Sequence, residues 1–194
     1  MKDRRFTVLI PIFVLVGLLS FSGNEPHDTG KPPKRALHFE ENRGQLHSAV
    51  RFLARNDAYT VFLTTTDALV VAHGTQPSAM RLRFLDTAGA QIEGIDAVPG
   101  KANYLVGNDP NNWHTGISRF SRVLYKDIYP LTDVVYYSDG GDLRYDLIVR
   151  PGAQPRSIRL AIDGAEELTT RNGALVIRAA SGEFELKRPV IYQK

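Results

Sequence analysis

The chain contains no cysteine. That excludes disulfide staples, thiolate metal ligands, a cysteine nucleophile and a lipid-anchoring cysteine. It also lacks a basic stripe. Lys and Arg number 24 against 21 Asp and Glu, a formal net charge of +3. Residues 1–23 hold Lys2, Arg4 and Arg5 against Asp3, so the remainder carries only +1. Nucleic-acid surfaces concentrate positive charge on one face. The basic cluster Lys31, Lys34, Arg35 sits among prolines and reads as solvated linker. No segment longer than a turn or two repeats its apolar residues at helical spacing. There is no Gly-x-Ser-x-Gly elbow. The five histidines, His27, His38, His47, His73 and His114, form neither H-x-H nor H-E-x-x-H.

Apolar residues make up 43% of the chain and charged residues 23%, enough of the former to build a core. Lys2, Arg4 and Arg5 precede a continuous apolar run from Phe6 to Phe21, closed by Ser22 and Gly23. That is the layout of a secretory signal peptide. The run holds 16 residues and includes Pro11, whereas a spanning helix needs about 20. Residues 1–23 are therefore expected to be a leader cleaved near Ser22 or Gly23. If it is left uncleaved, it is the only expected membrane contact. Either way the rest is exported, to the periplasm, cell surface or medium. Residues 24–36 are rich in Pro, Gly and charge and read as flexible linker. Residues 37–194 are expected to form one all-β domain.

Within that domain apolar and polar residues alternate in short runs: Val50–Arg55, Tyr59–Thr64, Ala68–His73, Met80–Asp86, Asp133–Tyr137 and Leu143–Val149. Asn56-Asp57, Asp163-Gly164, Asn172-Gly173 and Ser181-Gly182 separate strands as turn dipeptides. The clearest hairpin brackets Asp139-Gly140-Gly141. Leu37–Leu46 reads as an edge strand passing into a loop. A short strand is expected near 89–94, with Ile92 and Ile95 buried. The spacing predicts an antiparallel, β-sandwich-like domain of many short strands.

Tyr104, Trp113, Tyr125, Tyr129, Tyr136, Tyr137 and Tyr145 fall close together. They form either a tyrosine core with its hydroxyls bonded at the rim or an exposed platform for a glycan or protein partner. Tyr104, Trp113, Tyr136 and Tyr137 are the candidates for that platform. Tyr136 and Tyr137 are adjacent, so in a strand only one faces outward. His38 and Glu40 share a strand face and with His47 sketch a metal site, but the spacing is no metal signature. Asp139, Asp142 and Asp146 sketch a calcium loop too short for an EF-hand. Glu40 and Glu41 point to opposite faces if extended, which suits no paired-carboxylate hydrolase. No catalytic residue, metal site or cofactor is expected.

Several segments form a recognisable series. They are Phe39-Glu40-Glu41-Asn42-Arg43-Gly44-Gln45, Gly100 to Pro110 with Trp113 and Thr115, Val123-Leu124-Tyr125 with Ile128-Tyr129-Pro130, Asp133 to Tyr137, Tyr145-Asp146, Arg150 to Ala153, and Lys187 to Gln193. The series resembles the amino-terminal domain of unknown function of bacterial exported proteins carrying seven-bladed β-propeller-type repeats. The resemblance covers residues 37–193. It implies a secreted or surface all-β module with no established activity. In relatives the Pro-Val-x-Tyr-Gln segment leads into propeller repeats, and no internal repeat occurs here. The resemblance therefore implies a stand-alone or truncated product, or a repeat domain on another chain. A non-catalytic interaction module is the expected function. The alternatives are a carbohydrate-binding module and, third, an extracellular hydrolase.

Overall fold

The computed structural model describes residues 5–9, 16–22, 36–73, 78–87, 89–180 and 182–187, the first two segments as backbone alone. Seventeen strands appear among them. They are β1 (Arg5–Leu9), β2 (Val16–Ser22), β3 (Phe39–Glu41), β4 (Phe52–Arg55), β5 (Tyr59–Leu63), β6 (Asp67–Ala72), β7 (Ser78–Phe84), β8 (Gln91–Ala97) and β9 (Ala102–Tyr104). Then follow β10 (His114–Ile117), β11 (Arg119–Tyr129), β12 (Thr132–Asp139), β13 (Asp142–Val149), β14 (Arg159–Asp163), β15 (Glu167–Arg171), β16 (Ala174–Ala179) and β17 (Gly182–Leu186). The only helical elements among the described residues are 3-10 turns at Pro110–Asn112 and Pro155–Ser157. No helix among them is long and apolar enough to cross a membrane.

Turn chemistry sets the hairpins. Asn56 Oδ1 accepts the backbone N–H of Ala58 and Tyr59 at 2.9 and 3.0 Å, folding β4 back onto β5. Gly140 and Gly141 both adopt positive φ, 58° and 83°, between the paired residues Asp139 and Asp142. That is the turn whose twist matches a two-residue hairpin. Asn172 and Gly173 repeat it between β15 and β16.

Fifteen of these strands form one antiparallel sheet in the order β1-β14-β7-β6-β5-β4-β3-β11-β12-β13-β2-β17-β16-β15, with β8 also on β11. The all-β antiparallel architecture is as expected. The sheet curls so that one face encloses the core. β5 alternates buried Tyr59, Val61 and Leu63 with half-buried Thr60 and Phe62. β7 buries Met80, Leu82 and Phe84 and turns Arg81 and Arg83 outward. β13 buries Leu143, Tyr145 and Leu147. Among the described residues β9 and β10 pair only with each other and form a two-stranded arm.

Several expectations need correction. β3 is not an edge: it pairs with β4 on one side and β11 on the other. β8 extends to Ala97, and its Ile92 and Ile95 are half-buried, because among the described residues β8 has only β11 as a neighbour. β15, with the polar sequence ELTTR, was illegible because it is a largely exposed edge held by β16. Apart from these corrections, Val16–Ser22 of the expected leader pairs here with β13 and β17, and Arg5–Leu9 with β14. Residues 24–35 of the expected linker and the Val190–Gln193 segment lie outside the described residues.

The tyrosine-rich stretch is mostly core. Tyr125, Tyr136 and Tyr145 are fully buried on adjacent strands, with ring centroids 5.3 and 5.8 Å apart. Tyr59 fits the expectation of a bonded hydroxyl: it donates to Gly141 O at 2.9 Å and accepts from Leu143 N at 2.8 Å. Tyr129 is bonded too: its hydroxyl donates toward Leu85 O at 2.6 Å and Arg159 O at 2.9 Å and accepts from Arg159 N–H at 3.3 Å. The hydroxyls of Tyr125, Tyr136 and Tyr145 depart from it, having no hydrogen-bond partner among the described residues.

Candidate functional site

The Phe39-Glu40-Glu41-Asn42-Arg43-Gly44-Gln45 motif builds one wall of the site. Phe39 is the core anchor, at 0% exposure. Period-two alternation then leaves His38 and Glu40 half-buried on the outer face. Asn42 shapes the following loop. Its Nδ2 donates to the carbonyls of Leu46, His47 and Val50, and its Oδ1 accepts from Gly44 and Leu46 N–H. Gln45 clasps the same loop, donating to Glu41 O and accepting from Arg43 N. Gly44 has φ 110° and lies against the His114 ring at the base of the arm.

β3 lies between β4 and β11, which brings together residues far apart in sequence. The register sets Arg119 directly opposite Glu40. Arg55 reaches Glu40 Oε2 from the end of β4, at 3.7 Å. A cavity of about 610 Å³ results, lined by Ala36, His38, Glu40, Arg55, Asn56, Asp57 and Arg119. Tyr104, on the arm, is bonded to two of the lining residues. Its hydroxyl donates a short hydrogen bond to Glu40 Oε2 and accepts from Arg55 Nη2 at 3.2 Å. The Arg55 guanidinium lies 5.4 Å from the Tyr104 ring centroid. Burial, then the bond to Glu40 and its charge, push the Tyr104 hydroxyl up to about 12, with Arg55 pulling the other way. Tyr104 therefore stays a donor at physiological pH. On the opposite wall Arg119 Nη2 lies 2.7 Å from His38 Nδ1. A guanidinium can only donate, so this nitrogen accepts and the imidazole carries its proton on Nε2. Burial, and secondly the Arg119 charge, hold the His38 pKa below its ordinary value.

The arm carries the other feature. Between β9 and β10, Asp109 caps the 3-10 turn by accepting from Asn111 N–H at 3.0 Å. Around that turn Leu105 is 60% exposed, Val106 66% and Trp113 38%. Trp113 Nε1 donates to Gly107 O at 3.2 Å, which fixes the indole against the loop.

The four aromatic candidates do not share a face. Tyr104, the last residue of β9, is bonded to Glu40, and Trp113 is exposed in the loop that follows. Tyr137 faces outward on β12, half-buried, donating to Asp146 Oδ1 at 3.0 Å. Tyr136 is withdrawn from the platform: it is 0% exposed, because its position on β12 faces the core. Among the described residues no group of three or more His, Asp or Glu is placed to hold a metal ion. Glu40 is engaged by Tyr104 and Arg55, His38 by Arg119, and His47 Nδ1 accepts from Ala49 N–H. In the hairpin loop Asp139 pairs with Arg144 at 2.5 Å. Arg55, Asp57 and Arg119 escaped the sequence reading. Asn56-Asp57 shows only as a turn, and nothing local links it to a residue 62 positions beyond Asp57.

The geometry defines a class: an antiparallel all-β domain with a separate two-stranded hairpin and a polar cavity beside Tyr104 of that hairpin. A model of the family described as a domain of unknown function, DUF7948, matches residues 39–194, and the chain belongs to that family. The match begins at the core anchor Phe39. No curated protein and no solved structure matches the chain.

Proposed function

We propose that the chain is an exported, non-catalytic interaction module that docks through the tip of its β9–β10 arm onto a β-propeller-type repeat domain. One observation carries the reading: Leu105, Val106 and Trp113 are all exposed within nine residues of a hairpin whose strands, among the described residues, pair only with each other. Large apolar side chains clustered on a protruding element are the usual anchor of a protein contact, and tryptophan is prominent among such anchors. The choice of partner follows from the family resemblance of the sequence. Export follows from the basic start and apolar run of residues 2–21. The non-catalytic reading is supported by the state of the cavity's Glu40, which already accepts from Tyr104 and pairs with Arg55.

The test is calorimetric titration of the purified chain with a β-propeller-type repeat domain. The combined variant Leu105→Ser, Val106→Ser, Trp113→Ala is expected to bind at least roughly tenfold more weakly, since one anchor alone is worth upward of about 1–2 kcal/mol. Equal binding by the variant sinks the reading.

A further inference from the structure

We infer that the cavity between β3, β4 and β11 binds a hydroxylated monocarboxylate of uronic-acid size, with its carboxylate on Arg119 and its hydroxyls on Asp57 and Glu40. The site stands apart from the arm-tip contact and does not depend on it.

Charge points to an anion. Half-buried arginines elsewhere in the domain meet carboxylates: Arg83 meets Asp163 at 2.7 Å, Arg144 meets Asp139 at 2.5 Å, and Arg150 meets Asp133 at 3.3 Å. Arg119 is half-buried too, yet its only side-chain partner among the described residues is the neutral acceptor His38 Nδ1. A partly desolvated guanidinium without a counter-ion is an anion site held ready, and its planar fork matches a carboxylate. The tautomer of His38 adds an N–H donor at Nε2 on the same wall.

The rest of the lining selects the anion. Arg55 and Arg119 face two carboxylates, Glu40 and Asp57, on the same lining, so the wall has no net charge. A dianion such as a phosphate monoester meets repulsion there that a monoanion largely escapes. Among the described residues the Asp57 carboxylate accepts no hydrogen bond, whereas the Asn56 side chain already donates to Gly141 O and accepts the N–H groups of Ala58 and Tyr59. The lining thus offers a cation for a carboxylate and acceptors for hydroxyl donors, the Asp57 carboxylate and Glu40 Oε1, since Tyr104 and Arg55 both engage Glu40 Oε2. A sugar acid supplies both, while an acidic side chain supplies only the first. The volume, about 610 Å³, lies within the range of small-ligand sites.

The experiment titrates the full chain with D-glucuronate, D-glucose, D-glucose 6-phosphate and acetyl-glutamate amide, followed by calorimetry and by the His38 ring resonances. Glucuronate is expected to bind and to shift His38, with each of the other three at least roughly tenfold weaker, the scale of one charge-assisted contact. Arg119→Gln is expected to lose roughly tenfold or more for glucuronate. Asp57→Asn lies on an exposed turn that its side chain does not hold together. It is expected to fold normally and to weaken glucuronate severalfold, which keeps the test decisive if Arg119→Gln folds poorly. The inference is overturned if glucuronate does not bind, if glucose, the phosphate ester or acetyl-glutamate amide binds as well or better, or if Asp57→Asn binds glucuronate unchanged.

Discussion

Replacing Tyr136 by phenylalanine is expected to stabilise the protein. Buried Tyr→Phe substitutions usually cost stability because they delete a hydrogen bond. Here the ring is fully buried between Tyr125 and Tyr145, and its hydroxyl has no partner among the described residues. Burial pushes the Tyr136 hydroxyl well above its ordinary pKa, with Tyr145 and Asp67 adding to the rise, so the group is neutral and poorly solvated. Leaving such a hydroxyl unpaired costs about 1–3 kcal/mol. Phenylalanine keeps both ring contacts, and the space left by one oxygen costs well under the ~2 kcal/mol of a large truncation. The net expectation is a gain of about 1 kcal/mol, or roughly 2–4 °C in Tm for a domain of this size. Urea and thermal unfolding followed by circular dichroism would measure it, with Tyr59→Phe as the contrast. Tyr59 donates to Gly141 and accepts from Leu143, so its loss is expected to cost about 1–3 kcal/mol. A loss of about 1 kcal/mol or more in Tyr136→Phe would refute the reasoning and mean that its hydroxyl is bonded, as by an internal water.

Asn42→Ala removes five contacts that shape the loop after β3. At a net of about 0.5–1.5 kcal/mol each, partly recovered by water, it is expected to cost about 2–4 kcal/mol by urea unfolding. Leu131 sits in the β11–β12 turn at φ 59° with its side chain 42% exposed. Leu131→Gly relieves a strain of about 1 kcal/mol and should raise the unfolding midpoint by a similar equivalent. His38 has a folded-state pKa below its unfolded value, so its contribution to stability is complete above about pH 6.5. It is lost as the pH falls from there through the folded pKa, because the unfolded chain takes up the proton first. His38→Gln should flatten the slope of unfolding free energy against pH in that window, while unfolding near neutrality changes less.

The strand pattern was legible wherever one face is wet and the other buried. Met80, Leu82 and Phe84 against Arg81 and Arg83 is such a case, and so is Leu143, Tyr145 and Leu147 on the other side of a Gly-Gly turn. It was illegible where strands lack that contrast. β15 has a mostly exposed, polar sequence, and β9 spans only Ala102–Tyr104, so neither has apolar alternation to read. The aromatic stretch showed only that Tyr136 and Tyr137 must diverge, and the sheet decided that Tyr136 points inward. The cavity was beyond reach for a different reason. His38 and Glu40 were visible as a pair on one strand face. Arg55 and Arg119 join them only because β3 pairs with β4 and β11 together, a long-range register that no local spacing encodes.

The docking reading rests on the arm tip, and the chain's single tryptophan reports on it. Labelling with 5-fluorotryptophan gives one fluorine resonance, from position 113, to be followed during titration with a β-propeller-type repeat domain. The account predicts a saturable shift of that resonance at the midpoint found by calorimetry. Binding that leaves the resonance unmoved, or no binding at all, would contradict it.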